Sequence, residues 1–217
     1  MLYEVKIGNK RYKPTAIMDV RMEKATLLKM IAERGYDAGY CAKLHFSTFD
    51  IVEKTPGWIG LITTVIGIFA LVVPAFQTNT MSASIVAIGI TTLYISFYNE
   101  KKSEYFEAGR KLTLVYDALK KLHAKVKVAN PENLIAAEAE YDRLSSEIHA
   151  LCMSKHIFSA GWLAHKKFFW EQQIDWIEES RPFNFYRDKI PLSAYVFLLM
   201  ALVGLAAYKY VNAGCVL

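Results

Sequence analysis

The chain has 217 residues, of which 53% are hydrophobic and 22% charged, with 26 Lys and Arg against 21 Asp and Glu. Mean hydropathy is +0.17, high for a soluble domain and in the range that membrane segments produce. Such a composition excludes a disordered chain. Three cysteines exclude a disulfide framework. The net charge of +5 comes from interleaved bases and acids, a pattern that gives no reason to expect nucleic acid as a partner.

Residues 1–14, MLYEVKIGNKRYKP, read as a small hairpin turning at Gly8-Asn9 or as a flexible arm, since an isolated hairpin is marginal in water. Residues 15–54 read as a cytoplasmic helix. Leu28, Ile31, Gly35, Ala38, Ala42, His45, Phe49 and Val52 step by three and four along it. The middle of that stripe is small, with Gly35, Ala38, Gly39 and Ala42 letting another helix approach closely.

Between Lys54 and Glu100 there is no charged residue. This stretch, 55–99, is too long for one span and suits two, because a helix crosses a bilayer core with about 20 apolar residues. The first runs from Trp58 to Phe76 and the second from about Ser82 to Tyr98, joined by the polar turn Gln77-Thr78-Asn79-Thr80. A buried soluble hairpin is the alternative.

Residues 100–152 read as two heptad helices. In the first, Tyr105, Ala108, Leu112, Val115, Leu119, Leu122 and Val126 keep an unbroken seam, and Ala108-Gly109 is small enough to meet the Gly35–Ala42 stripe. In the second, Leu134, Ala137, Tyr141, Leu144, Ile148 and Leu151 do the same. Asn130-Pro131-Glu132 divides them, with Asn130 as the expected N-cap. Gly35, Ala38, Ala42, Ala108, Leu112, Val115, Leu119 and Leu122 are thus the expected seam for helix packing or for oligomerisation.

Residues 153–189 are aromatic, carrying Phe158, Trp162, Phe168, Phe169, Trp170 and Trp176. They suit a helix on the membrane surface, or a core helix packed on residues 132–152. Arg181, Phe183, Phe185, Tyr186, Arg187 and Lys189 have the composition of a membrane-interface belt. A second charge-free run, 190–208, reads as a third transmembrane helix beginning at Pro191, followed by a tail at 209–217. The fold class is therefore an all-α membrane protein: a two-span transmembrane hairpin continuing into a cytoplasmic helical bundle, plus a C-terminal third span.

Ten Lys and Arg lie in 1–54 and fifteen in 100–189, against none near 77–81. The positive-inside rule then puts both charged segments in the cytoplasm and the C-terminus outside. No signal peptide is expected, because the first long apolar run follows a charged region.

No phosphate-binding glycine loop or nucleophile elbow occurs, and no enzyme activity or cofactor is expected. Cys41 with His45 and His149 with Cys152 are the best grouping of zinc-ligand types, but their spacing matches known sites poorly, and buried cysteines with capping or interface histidines are the commoner reading. Glu104, Glu107, Glu138 and Glu140 read as solvated helix residues. Within the spans, Thr63, Thr64, Thr92 and Ser96 are candidates to line a pore, or bond their own helices. Gly60 and Gly67, with Gly89, are candidates for helix packing. No charge lies inside either span, which argues against a proton relay.

Three segments in order carry a resemblance. These are LLKMIAERGYDAGYCAKLHFSTFDIV, the tight two-span hairpin, and NEKKSEYFEAGRKLTLVYDALKKL. Over roughly 15–150 this resembles the SLATT domains, two-span effectors associated with bacterial nucleotide-signalling and other conflict systems. The resemblance implies a pore-forming effector of the bacterial inner membrane in antiphage defence or abortive infection. It would be a homo-oligomer in the lipid bilayer, triggered by a sensor protein or a cyclic nucleotide. It brings no catalytic residues. A non-conducting anchor whose bundle recruits a soluble partner is the alternative.

Overall fold

A computed structural model of the chain describes residues 6–7, 10–11, 23–130 and 134–214. At the N-terminus, Lys6–Ile7 (β1) and Lys10–Arg11 (β2) pair antiparallel, Lys6 opposite Arg11. Helices follow: α1 (Lys24–Val72), α2 (Asn79–Ser96), α3 (Lys102–Val128), α4 (Leu134–Leu151), α5 (Ala160–Lys166), α6 (Asp175–Glu178), α7 (Phe185–Asp188) and α8 (Leu192–Gly214). Pro131 and Glu132, expected to open α4, lie outside the described residues, as does Cys215.

The expected cytoplasmic helix and first span are one element. Helix α1 has 49 residues, about 74 Å at 1.5 Å per residue. Pro56 lies inside it at the start of the charge-free stretch, where it has no N–H to offer the carbonyl one turn back. The helix ends at Val73, and Gln77 Nε2 donates to the free Ala70 carbonyl at 2.7 Å. Thr78 then caps α2 by accepting the Met81 N–H at 3.2 Å. A short 3₁₀ turn, Asn99–Lys101, separates α2 from α3.

The lower part of α1 packs with α3 and α4. Leu112, Val115, Leu119 and Leu122 are buried, as are Leu134, Tyr141, Leu144 and Ile148, while Ala108 is half-buried. The heptad seams are therefore occupied inside one chain. Of the two roles read for that seam, helix packing within the chain is the one that this burial fits: Leu119 is 0% exposed.

The aromatic segment packs chiefly on α1 and not on α4. It descends along α1 and closes the bundle through α5, a π-helical turn (Lys167–Glu171) and α6. Phe168 and Ile177 are fully buried, Trp176 nearly so. The small stripe of α1 makes this contact as well as the one with α3. A Cβ on Gly39 would lie 2.7 Å from the Phe168 ring and 2.9 Å from that of Tyr116. Trp176 Nε1–H donates to the Tyr116 hydroxyl at 2.9 Å, and that hydroxyl donates to the Gln173 carbonyl at 2.6 Å, so no polar group is orphaned here.

Part of the expected interface belt also packs in the bundle, while Phe185, Tyr186 and Arg187 are exposed. Arg181 stacks over Tyr36 at 4.4 Å, Phe183 packs on Tyr36 and Phe169, and Lys189 pairs with Glu178 at 2.7 Å. Ile190, Pro191 and Leu192 line a cleft with Tyr36 and Tyr40. Those tyrosines lie about 24–30 Å along α1 from Pro56, so α8 takes root deep in the bundle and not at the hairpin's boundary. Its described apolar part, Leu192–Ala207, is exposed apart from the half-buried Ala194. Among the described residues, α1 and α2 are the two helices long and apolar enough to cross a membrane.

The substitution Gly39→Val should destabilise the bundle by about 1–3 kcal/mol, since two rings must move to admit the side chain. Thermal unfolding of the detergent-solubilised chain, followed by circular dichroism, checks this.

Candidate functional site

Two features stand out where the bundle meets the hairpin: a strap around the root of the hairpin, and the divided faces of the hairpin itself.

The strap is the connection 152–159 between α4 and α5. Its Ile157 is buried with Val52, Ile95, Tyr98 and Tyr105, so it covers α1, α2 and α3 together. Polar bonds fasten it. The Met153 N–H donates to His45 Nε2 at 3.3 Å. Tyr105 donates to the Lys155 carbonyl at 2.6 Å and Tyr98 to the His156 carbonyl at 3.3 Å. The Phe158 N–H donates to the Tyr94 hydroxyl at 3.3 Å. The strap ends at Ser159, with φ of 69°, a left-handed conformation that costs a non-glycine residue roughly 1 kcal/mol or more.

Beneath the strap lie two imidazoles, His45 and His156, with ring centroids 4.9 Å apart. The partners of His45 assign it as neutral. His45 accepts at Nε2, so Nδ1–H donates to the Cys41 carbonyl at 2.8 Å. His156 Nε2–H donates to the Met153 carbonyl at 2.7 Å, and its Nδ1 lies 3.0 Å from the Thr48 hydroxyl, which itself donates to the Leu44 carbonyl at 3.0 Å. Burial pushes both pKa values below the ordinary histidine range; the neighbouring His45 lowers His156 further, while backbone hydrogen bonds partly offset the shift at each. Sequence reading found His45 through its heptad position. It missed His156 and the strap, because a loop crossing three helices has no period.

Of the zinc-type grouping, Cys41, His45 and Cys152 come together and His149 does not; it is exposed. The two cysteines are joined as a disulfide across 111 residues. With those two sulfurs bonded to each other, no group of three or more His, Cys, Asp or Glu among the described residues is placed to hold a metal ion. Glu104 and Glu107 are exposed, Glu107 pairs with Arg110 and Glu140 with Arg143, each at 2.8 Å, while Glu138 is half-buried with its Oε1 buried and without a partner among the described residues.

The hairpin faces are divided by position. Ile59, Thr63, Ile66, Ala70 and Val73 of α1 are half-buried, as are Met81, Ile85, Ile88 and Thr92 of α2, while Ile95 is buried. These positions step by three and four and form the seam between the two helices. Thr63 and Thr92 therefore belong to contact within the hairpin, which corrects their reading as pore lining. Thr64 and Ser96 are exposed. Every one of these hydroxyls donates back to its own helix: Thr63 to the Ile59 carbonyl, Thr64 to Gly60, Thr92 to Ile88 and Ser96 to Leu93. About 100° round α1 from the seam lies a second row, Gly57, Gly60, Thr64 and Gly67, also in steps of three and four. A Cβ on any of these three glycines would meet nothing within 4 Å, and the same holds for Gly89 on α2.

A charge-free helical hairpin standing on a charged, packed bundle is a two-span membrane protein of the all-α class. The chain belongs to the family of SMODS and SLOG-associating 2TM effector domain 6 (SLATT_6), whose model matches residues 22–198. It is thereby a member of a family of membrane effectors associated with bacterial conflict systems. The match reaches past the resemblance read at 15–150 and takes in the strap and the aromatic segment. No curated protein and no solved structure matches the chain.

The histidine pair gives the root of the hairpin a pH dependence of definite sign. The folded pKa values lie below the unfolded value of about 6.5. The unfolded chain therefore binds protons that the fold refuses, and stability present above pH ~6.5 is lost as the pH falls below it. His123, also lowered by burial, acts in the same direction. Thermal midpoints should fall between pH 7.5 and pH 5. The variant His156→Gln, which keeps a donor for the Met153 carbonyl, should show a shallower fall.

Proposed function

We propose that the chain is a pore-forming effector of antiviral defence that assembles as a homo-oligomer in the bacterial inner membrane. It permeabilises that membrane when a partner sensor or a cyclic nucleotide signal releases it, a response of the abortive-infection type. No enzyme activity enters this reading. The observation that carries it is the row Gly57, Gly60, Thr64 and Gly67. Small residues at this spacing let membrane helices approach closely. Within the chain nothing fills the space in front of these glycines, so a neighbouring copy is the natural occupant. The excess of Lys and Arg in 1–54 and 100–189 supports a cytoplasmic bundle with the hairpin turn outside.

In this arrangement the hairpin is the spanning unit and α8 is an accessory apolar helix. One hairpin cannot enclose a conduit, because its inner face is its own seam. Several copies side by side can, with Ser96 and Asn99 at the inner mouth. There Val52, Pro56, Thr92 and Ser96 already border a cleft of about 280 Å³, beside the Glu53–Lys102 ion pair at 2.6 Å. The trigger acts on the bundle, and needs only to bind the released and resting arrangements with different affinity.

The non-conducting scaffold draws on a different observation, the return of the span hydroxyls named above to carbonyls of their own helices. One experiment separates the readings. The double variant Gly60→Leu, Gly67→Leu fills open space and should leave the folded chain intact by circular dichroism. Native mass spectrometry in nanodiscs should find four or more chains for the parent and one or two for the variant. Release of a trapped dye from liposomes should drop at least tenfold. A variant that assembles and leaks like the parent overturns the proposal, and an assembled but tight parent favours the scaffold.

A further inference from the structure

We propose that Cys41 and Cys152 form a reversible oxidation site that locks the strap over the root of the hairpin. The two sulfurs meet, and the Cα atoms are 6.3 Å apart, a separation that a disulfide spans. Both residues are half-buried, so small oxidants and reductants reach them. The placement is more telling than the bond. Cys41 lies on α1, one turn before His45. Cys152 is the residue at which α4 gives way to the strap. The next residue, Met153, is the one whose N–H is held by His45. Oxidation therefore ties the start of the strap to the long helix beside its first hydrogen bond. Reduction leaves the strap held by its hydrogen bonds and by the packing of Ile157, Met153 and His156.

The site rests on the cytoplasmic placement of the bundle proposed above. In that compartment thiols are kept reduced, and a disulfide is a transient, signalling state. The step is balanced with hydrogen peroxide as the oxidant. One cysteine thiolate attacks a peroxide oxygen, the O–O bond breaks, and a sulfenic acid and hydroxide form. The second thiolate attacks the sulfenic sulfur, the S–S bond forms and hydroxide leaves. With the two thiol protons, the two hydroxides become two waters, and two electrons pass from sulfur to the peroxide. A cellular dithiol reverses the bond by exchange. Release of the hairpin requires α1, α2 and α3 to part beneath the strap, so the disulfide holds the resting state and the dithiol form is readier to respond.

The test uses the full chain with Cys215→Ser, so that only this pair reports. Cells are quenched in acid before and after a pulse of hydrogen peroxide, and free thiols are tagged with a maleimide that changes gel mobility. Two tags are expected at rest, none after the pulse, and two again on recovery. A pair oxidised at rest and indifferent to peroxide is a structural disulfide and overturns the proposal. A pair that stays reduced throughout overturns it as well. Labelling of spheroplasts with a membrane-impermeant maleimide reports the side of the bundle separately, so an error in orientation is told apart from an error about the pair. In purified protein, reductant should lower the thermal midpoint by roughly 5–15 °C, and Cys41→Ser should abolish that difference. In the dye-release assay, oxidation should slow leakage at least threefold, and Cys41→Ser should leak equally in oxidant and reductant. Leakage indifferent to an oxidised pair overturns the lock.

Discussion

One unbroken helix governs the architecture. Helix α1 passes from the bottom of the bundle to the hairpin turn without a loop, so its lower and upper halves share a single axis and a single rotational phase. A turn of the lower half necessarily carries the upper half with it. Pro56 is the one interior proline, and it sits where the charged lower half gives way to the charge-free upper half. A missing backbone hydrogen bond there makes this the softest point of a stiff rod. The strap closes over the same level, where Val52, Ile95, Tyr98 and Tyr105 converge on Ile157.

The helix uses small residues for two purposes. In the bundle, Gly35 and Gly39 admit the rings of Trp176, Phe168 and Tyr116, and the space is full. In the hairpin, Gly57, Gly60 and Gly67 face open space. The chemistry of the residue is the same, and only the surroundings differ. Closed packing below gives a stable body, while an open row above leaves a surface that lipid fills poorly and another helix fills well.

The sequence made the helices legible and left their partners undecided. The steps of three and four marked the core faces of α3 and α4, because a buried helical face must recur at the helical period. The absence of charge over 55–99 marked the hairpin, because charge is costly in a bilayer. The heptads could not say whether their seam joined helices of one chain or of several, since knobs-into-holes packing is the same in both. Thr63 and Thr92 read as pore candidates by polarity alone, and one step of rotation about the axis placed them in the hairpin seam. Arg181, Phe183 and Lys189 had the composition of an interface belt, and the same groups stack and pair equally well within a bundle.

Periodicity and charge, which are local properties of the chain, by themselves determined the helical class and the two-span hairpin. Tertiary structure alone decided what each face meets. It carried the aromatic segment down α1, rooted α8 beside Tyr36 and Tyr40, brought His156 onto His45, and set Cys152 against Cys41 across 111 residues. Contacts between distant segments depend on how loops return the chain. Loop return follows from the summed packing of the whole core and leaves no repeating signal in the residues that meet.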